Sequence, residues 1–227
     1  MTSPSLPTER SRWLSEPEAL RLLSNYNLPV IAHRLATSSQ EAARAAQDVG
    51  CPVAAKVVAP GLIHKSDVGG VRLDILTPDE AAAAFAAMCD RVRMHDPAGA
   101  IHGILIAKMA APGTEVIVGM VRDPQFGPAV MFGLGGIFVE LYKDVVFRLP
   151  PLSMAEARAM LMEVKAAPLL TGYRGQPPRD LDALATCACV VARIAEEHPE
   201  IHQIDLNPIM AYERGCVIVD AKILVHG

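Results

Sequence analysis

Hydrophobic and polar positions in the first half of the chain follow a helical and an extended pattern in turn. From Ser15 to Asn25 the apolar residues recur at helical spacing, and Ser15 with Glu18 three residues later has the pattern of a capping box. Apolar runs between helical stretches predict strands. The strands are predicted at Leu28 to His33, Pro52 to Val58, Val71 to Ile75 and Ile101 to Met109, and further helices from Ser38 to the residue before Gly50 and from Thr77 to about His95. This alternation predicts an α/β fold.

The second half of the chain opens and closes with strands around two helices. Its first strands are predicted at Glu115 to Val121, Ala129 to Phe132 and Val145 to Leu149, and its helices at Ser153 to Lys165 and Asp180 to His198. Three short strands are expected at the end, near Gln203 to Leu206, Ile209 to Tyr212 and Cys216 to Ala221.

Pro112-Gly113 is the predicted boundary between two lobes, because this dipeptide favours a turn and lies between two predicted strands. We therefore expect a flexible N-terminus over residues 1–15, a first lobe over 16–112 and a second lobe over 113–227.

Composition and charge narrow the classes of function. The 227 residues carry a net charge of −4 spread along the chain, which gives no basic patch for nucleic acid. No apolar run approaches the roughly 20 residues needed to span a bilayer, so no membrane partner is expected. The polar N-terminal segment lacks a secretory apolar core, which predicts a cytoplasmic location. The five scattered cysteines are expected to be reduced core thiols.

Lys56 lies inside an apolar run that is predicted to be a buried strand. A buried lysine is costly unless an anion neutralises it, and glycines downstream, at Gly61 and Gly69-Gly70, let backbone amides approach such an anion closely. This pattern suggests a phosphate site. The alternative is a lysine at a strand end whose ammonium simply reaches solvent.

His64 follows in the polar loop His64-Lys-Ser-Asp67 between two predicted strands. A histidine in such a loop is usually only solvated. A neutral imidazole can also attack a phosphoryl group and carry it as a phosphoramidate. Spacing alone leaves both interpretations open.

Polar oxygens lie near the end of the chain on two predicted neighbouring strands. Asp205 and Asn207 are two residues apart and so share one face of a strand, and Asp220 ends the apolar run that should pair alongside. Carboxylate and amide oxygens suit Mg²⁺, which takes further ligands from water and nucleotide phosphates. The alternative is that Asp205 and Asn207 only form a turn before Pro208. The glycine-rich run Gly133-Leu-Gly-Gly136, with Glu140 four residues on, is a weak signal by itself, since it lacks a Walker lysine.

Taken in order, these segments resemble an ATP-grasp domain, and most closely the nucleotide-binding β subunit or domain of ADP-forming acyl-CoA synthetases; succinyl-CoA synthetase is a more distant relative. The resemblance covers about residues 16 to 224. It rests on five blocks: Ile63-His-Lys-Ser-Asp-Val-Gly-Gly-Val71, Glu115-Val-Ile-Val-Gly-Met-Val-Arg-Asp-Pro124, Phe126-Gly-Pro through Phe132-Gly-Leu-Gly-Gly-Ile-Phe-Val-Glu140, Lys165-Ala-Ala-Pro-Leu-Leu-Thr-Gly172 and Asp205-Leu-Asn-Pro208.

The resemblance implies an α/β (α+β) ATP-grasp fold in which two α/β lobes enclose ATP or ADP. Lys56 would hold the nucleotide phosphates, the backbone of Ala107, Lys108 and Met109 would meet the adenine, and Glu115 would contact the nucleoside end. Relatives often carry glutamine or glutamate where this chain has Ala107-Lys108. Because adenine is read there mainly by backbone groups, nucleotide binding is expected to survive, while the purine preference stays open.

For the phosphate end, the resemblance implies that Asn207 and Asp220 ligate Mg²⁺, with Asp205 and Glu140 near the phosphates. His64 falls on the histidine that takes the phosphoryl group within this subunit in relatives that form ADP.

The reaction implied is acyl-CoA + ADP + phosphate ⇌ carboxylate + ATP + CoA. The acyl transfer belongs to a CoA-binding α subunit, and this sequence holds no dinucleotide-type glycine fingerprint, so we expect half of a hetero-oligomeric acid–thiol ligase. Two alternatives remain: a regulatory nucleotide-sensing module, and a stand-alone ATP-grasp carboxylate ligase that would not require His64. The retained set of Lys56, His64, Asn207 and Asp220 favours catalysis.

Overall fold

The computed structural model describes residues 11–60, 65–95, 100–135 and 144–226. Its strands are β1 (Ser11–Trp13), β2 (His33–Ala36), β3 (Val53–Val58), β4 (Val71–Ile75), β5 (Gly103–Lys108), β6 (Thr114–Asp123), β7 (Gly127–Leu134), β8 (Val145–Arg148), β9 (Ile201–Ala211), β10 (Cys216–Ile218) and β11 (Ala221–His226). Its α-helices are α1 (Glu16–Asn25), α2 (Ser39–Val49), α3 (Pro78–His95), α4 (Met154–Glu163), α5 (Pro168–Thr171) and α6 (Leu181–Glu197). No helix within those ranges is long and apolar enough to cross a membrane.

The chain forms two compact units, and the division differs from the predicted one. The smaller unit is Ile31–Ala110, and the larger unit combines Met1–Val30 with Ala111–Gly227. The end of the first lobe was expected at residue 112, close to the observed boundary. Residues 16–30 were expected in the first lobe but lie in the larger unit, because β1 pairs with β11 and α1 packs on β11. Part of the expected flexible segment 1–15 is strand β1; residues 1–10 lie outside the described residues.

The smaller unit is a four-stranded antiparallel sheet with two helices on one face. The strand order is β2-β5-β3-β4. Every second residue of β3, namely Val53, Ala55 and Val57, is buried in one apolar cluster with residues of α2 and α3. The helix α2 begins where the Ser38 hydroxyl accepts the N–H of Glu41, and it ends at Gly50. The remaining β3 residues, which include Lys56, therefore point to the face of the sheet opposite the helices.

The larger unit is built on a seven-stranded antiparallel sheet. Its order is β1-β11-β9-β6-β7-β8, and β10 pairs with the second half of β9. The helix α6 packs against β6, β7 and β9, and α4 packs against α6. Large side chains such as Phe132, Leu134 and Met120 fill this side of the sheet and are fully or almost fully buried.

Two of the three short strands expected at the end of the chain are one strand, β9. On β6, Val118 is paired with Leu206 and Val116 with Ile209. The one residue between these two valines therefore lies opposite both Asn207 and Pro208 of β9. This arrangement is a β-bulge, and a proline is tolerated at a bulge because no ladder hydrogen bond is required of it there. The turn-forming residues therefore interrupt the pairing locally without ending the strand.

Arg122 closes the C-terminal end of α6. Its guanidinium donates hydrogen bonds to the carbonyl oxygens of Ala195 (2.7 Å), His198 (3.2 Å) and Ile201 (3.1 Å). These oxygens belong to the last turn of the helix, to the loop after it and to the first residue of β9, and the first two lie where intrahelical donors are lacking. The planar guanidinium, which is always charged, also complements the negative end of the helix dipole.

We expect Arg122→Met to destabilise the larger unit by about 1–3 kcal/mol, because the apolar stem is retained while three carbonyl oxygens each lose a hydrogen bond from a charged donor. Urea unfolding followed by circular dichroism would measure this. The matched control is Arg214→Met, which removes an exposed cation from the turn between β9 and β10. Equal stability of the two variants would contradict the role of Arg122.

Candidate functional site

One row of residues crosses five strands of the larger sheet on the face opposite its helices. Phe147 of β8 is paired with Met131 of β7, Met131 with Gly119 of β6, Gly119 with Asp205 of β9, and Asp205 with Lys222 of β11. Directly paired residues share a face of the sheet. We call this face, which also carries Glu115 and Asn207, the site face. Along the row, the side chains change from aromatic and apolar, at Phe147 and Met131, to acidic and basic, at Asp205 and Lys222.

The structure brings Asp205, Asn207 and Asp220 together at the bulge of β9. Ile204 and Leu206 are buried on the helix side, so Asp205, which is half-buried, and Asn207, which is exposed, lie on the site face. Asp220 lies between β10 and β11. The N–H of the preceding residue, Val219, donates to the carbonyl oxygen of Pro208 at 3.0 Å, which holds this segment against the bulge.

The charges in this cluster influence each other. Burial raises the pKa of Asp205; the nearby Lys222 ammonium lowers it, and the carboxylate of Asp220 raises it further. Asp205 is therefore a partly desolvated carboxylate with one cation and one other acid nearby. Sequence reasoning missed Lys222, although its position two residues after Asp220 in an alternating strand was a usable signal.

Glu115 lies on the site face near one end of β6, paired with Met210. Its carbonyl oxygen accepts the N–H of Gly135 at 2.8 Å. A Cβ at Gly135 would come within 2.9 Å of the Glu115 Cβ, so only glycine allows the chain to pass so closely there. The glycine-rich run, which begins at Gly133 opposite Ile117, therefore passes Glu115 at Gly135. Glu140, predicted near the phosphates, lies outside the described residues.

Lys56 is a buried charged residue of the smaller unit, with 8% of its surface exposed. It is paired with Leu105 of β5 and Val71 of β4, on the face away from the helices. The strand position and the burial predicted from its apolar neighbours are therefore observed, and the alternative of a strand-end lysine reaching solvent does not describe it.

His64 lies outside the described residues, but both flanks of its loop are anchored to β3. The loop leaves β3 after Val58, and on its return the carbonyl oxygen of Gly70 accepts the N–H of Val57 at 2.8 Å. The N–H of Gly70 donates to the carbonyl oxygen of Lys65 at 2.7 Å. A Cβ at Gly70 would lie 2.8 Å from that oxygen, so glycine is required there. The loop therefore rejoins β3 at the residue next to Lys56.

The predicted adenine hinge is the end of β5, and its backbone N–H groups have partners within the smaller unit. The N–H of Lys108 donates to Ala32 and that of Met109 to Pro52, at 2.8 and 2.9 Å. Ala107 is paired in the sheet on both sides. An adenine amine could still be accepted by carbonyl oxygens at this strand end, whereas the N–H groups of Lys108 and Met109 are already used.

The side chain of Lys108 is directed to the helix side of the sheet. Its Nζ donates to the carbonyl oxygen of Gly50 at 2.7 Å and lies 3.4 Å from that of Cys51, just past the C-terminal end of α2. A cation there satisfies a terminal carbonyl and complements the helix dipole. Lys108 at the predicted hinge therefore has a local structural role, and its ammonium lies on the opposite face of the sheet from Lys56.

The donors around the bulge fit a magnesium ion. Asp220 and Asn207 offer carboxylate and amide oxygens, the hard ligands that Mg²⁺ takes, and Asp205 is nearby. Among the described residues no three His, Cys, Asp or Glu side chains form a metal-binding group. Such a sparse set suits an ion that keeps several waters and completes its shell with substrate phosphates.

Comparisons with known proteins agree with this geometry. The model of the ATP-grasp domain family matches residues 5–225. The β subunit of acetate–CoA ligase [ADP-forming] I from Pyrococcus furiosus is 46% identical over 95% of this chain and 93% of its own length. The single-chain acetate–CoA ligase [ADP-forming] I from Archaeoglobus fulgidus is 42% identical over 92% of this chain, which spans 30% of that protein.

Solved structures of acetyl-coenzyme A synthetase 1 from Ca. Korarchaeum cryptofilum share the fold. The complex with coenzyme A, Ca-AMPCP and HgCl⁺ superposes with a TM-score of 0.91 at 46% identity, over 95% of this chain and 94% of that chain. A complex with coenzyme A and Mg-AMPPCP has a TM-score of 0.84 at 42% identity, over 95% and 93%, and its phosphohistidine segment points towards the nucleotide-binding site.

Proposed function

This chain belongs to the ATP-grasp family, among the β subunits and domains of ADP-forming acetate–CoA ligases, and we propose that it catalyses the nucleotide half of that reaction. In the overall reaction, acyl-CoA, ADP and phosphate are interconverted with a carboxylate, ATP and CoA. The step assigned to this chain is the exchange of a phosphoryl group between a histidine and Mg-ADP. The observation that carries the proposal, in a member of this family, is that Asp205 and Asn207 share one face of the sheet while Asp220 lies in the adjoining segment between β10 and β11.

The nucleotide is proposed to run along β6 from Glu115 to the bulge of β9. Glu115 and Gly119 are four residues apart on the same face, which is about 13 Å at about 3.3 Å per residue. Gly119 is directly paired with Asp205, so this spacing separates an acid for the nucleoside end from the cluster for the phosphate end. The carbonyl oxygens near Ala107, Lys108 and Met109 are the proposed acceptors for the adenine amine.

The polar and charged residues have different proposed roles around the phosphates. Lys56 supplies a buried ammonium for the phosphate oxygens, and Asn207 and Asp220 hold Mg²⁺. The metal, when bound, neutralises charge on the phosphate oxygens. Asp205 and Glu140 complete the proposed surroundings of the phosphates.

His64 is the proposed carrier of the phosphoryl group. In the direction of ATP formation the N–P bond of the phosphohistidine breaks, a terminal β-phosphate oxygen of ADP forms the new P–O bond, and the imidazole nitrogen regains its lone pair. A largely neutral imidazole near pH 7 suits both directions of this exchange. The proposal is supported by the described end of the loop that follows His64, which returns to β3 at Val57, next to Lys56.

We expect labelled phosphate on His64 when the chain is incubated with [γ-³²P]ATP and Mg²⁺. The label should be labile in acid and stable in base, and it should be absent from His64→Ala. His95→Ala, which changes an exposed histidine at the end of α3, is the matched control and should label like the wild type. Equal labelling of His64→Ala and the wild type would reject the carrier; failure to bind Mg-ADP in calorimetry would reject the nucleotide site itself.

The proposed partner is a CoA-binding α subunit in a hetero-oligomer. The support is that the related Archaeoglobus fulgidus protein carries a segment like this chain within a chain more than three times as long. A cytoplasmic location, without nucleic-acid or membrane partners, stays part of the proposal and rests on the sequence.

A further inference from the structure

Lys222 has a defined place on the site face that the sequence had not indicated. It stands directly opposite Asp205 in the antiparallel pair of β9 and β11, and its side chain is exposed. It is also two residues beyond Asp220, so one short segment carries both a proposed metal ligand and a cation. The next position across the sheet from Asp205 in the other direction is Gly119, which contributes no side chain.

Asp205 therefore depends on Lys222 for its electrostatic balance. A half-buried carboxylate loses part of its hydration, and a second carboxylate, Asp220, acts on it with like charge. Lys222 is the cation that acts on Asp205 in the described part of the chain. The register of the ladder places the backbone of Lys222 directly opposite that of Asp205, so the two side chains leave the same face of the sheet at neighbouring positions.

We propose that Lys222 is a charge-balancing residue of this site: standing opposite Asp205 across the strands, it offsets the charge of Asp205 and Asp220 against the phosphates of a bound nucleotide. The proposal rests on the nucleotide-binding function proposed above and adds a residue to it. Lys222 acts through Asp205 and is distinct from Lys56, which lies on a different sheet.

This role predicts that removal of the Lys222 ammonium has opposite effects on the binding of a free divalent cation and on the binding of a nucleoside diphosphate. Without the ammonium, the acids attract a free divalent cation at least as strongly as before. A nucleoside diphosphate, by contrast, binds more weakly, because the carboxylates of Asp205 and Asp220 repel its phosphates when the Lys222 ammonium no longer offsets their charge. A merely structural lysine would change both affinities in the same direction together with the thermal stability.

The test uses the full chain and the variants Lys222→Met and Lys222→Arg. Calorimetry measures the affinity for Mg-ADP, and electron paramagnetic resonance measures the binding of Mn²⁺ without nucleotide. We expect Lys222→Met to bind Mg-ADP about fivefold more weakly, the upper range for the interaction of an exposed charge with a neighbouring one, and Mn²⁺ equally or more tightly. Lys222→Arg should restore the affinity for Mg-ADP, since it restores the charge.

Arg214→Met, which removes another exposed cation near the same strands, is the control and should bind both ligands like the wild type. In the double variant with Asp205→Asn, the effect of Lys222→Met on Mg-ADP should largely disappear, because its partner charge is gone. Unchanged affinity for Mg-ADP in Lys222→Met, or a parallel loss of Mg-ADP, Mn²⁺ and thermal stability, would overturn the proposal. If the wild type itself does not bind Mg-ADP, the proposed function fails instead.

Discussion

Replacing Asp220 by alanine is expected to reduce phosphoryl transfer between this chain and ADP by about a hundredfold to a thousandfold, the usual loss when one group that stabilises developing charge is removed. Asp220 would be the only carboxylate in the proposed metal pair, since Asn207 supplies a neutral oxygen. The segment itself should keep its position, because it is held by the backbone hydrogen bond from Val219 to Pro208.

The measurement is labelling of the chain by [γ-³²P]ATP as a function of Mg²⁺ concentration, together with turnover when the CoA-binding partner is supplied. Asn207→Ala should act in the same direction. Glu213→Ala removes an exposed carboxylate from the nearby turn between β9 and β10 and should behave like the wild type. Wild-type rates for both Asp220→Ala and Asn207→Ala would show that the metal ligands have been assigned wrongly.

Lys56→Met is expected to weaken the binding of Mg-ADP by about tenfold to a hundredfold, as a charge-assisted contact contributes about 1.5–3 kcal/mol. Methionine retains most of the apolar stem of lysine, so the change tests the charge more than the packing. Arg72→Met is the matched control, because it removes an exposed cation from the neighbouring strand β4.

A thermal-shift titration provides a second readout for Lys56. With nucleotide at about 100 times the wild-type Kd, binding stabilises the wild type by about 2.7 kcal/mol. A variant with a hundredfold weaker affinity would gain only about 0.4 kcal/mol under the same conditions. If Lys56→Met were stabilised by nucleotide as much as the wild type, Lys56 would not be a phosphate ligand.

Most elements of the fold follow from the sequence because their signals are local. Ser15 with Glu18 predicted the start of α1, and the carboxylate of Glu18 accepts the N–H of Ser15 at 2.7 Å. The apolar run of β3 predicted a strand buried on both faces, and all six of its residues are buried. Each of these outcomes depends on residues close together in the chain.

The errors arose where distant contacts decide the structure. The strand expected at Leu28 to His33 begins only at His33, while Val30 forms a single bridge to Ile218. No local pattern shows that residues 16–30 belong to the larger unit, since this follows from the pairing of β1 with β11 at the far end of the chain. Tertiary pairing overrides local preference at such positions.

Only part of the candidate site could be predicted from the amino-acid sequence. The sequence predicted that Asp205, Asn207 and Asp220 lie on neighbouring strands as candidate oxygen ligands, and the structure places these residues near one another; their role as ligands stays a prediction. The roles of Glu115 and the hinge came from the resemblance to a family. Lys222 escaped notice because its relation to Asp205 depends on strand register, which a one-residue slip would reverse.

The bulge at Asn207-Pro208 separates the direction of a proposed metal ligand from the support of the sheet. Two residues of β9 lie against one residue of β6 there, and such a bulge re-aims a side chain while the strand continues. The buried side of β9 keeps its apolar sequence on both sides of the bulge, with Leu206 before it and Ile209 after it. The direction of the Asn207 side chain is therefore set by a local irregularity, while the packing of the sheet on its helices is set by the apolar residues of the other face.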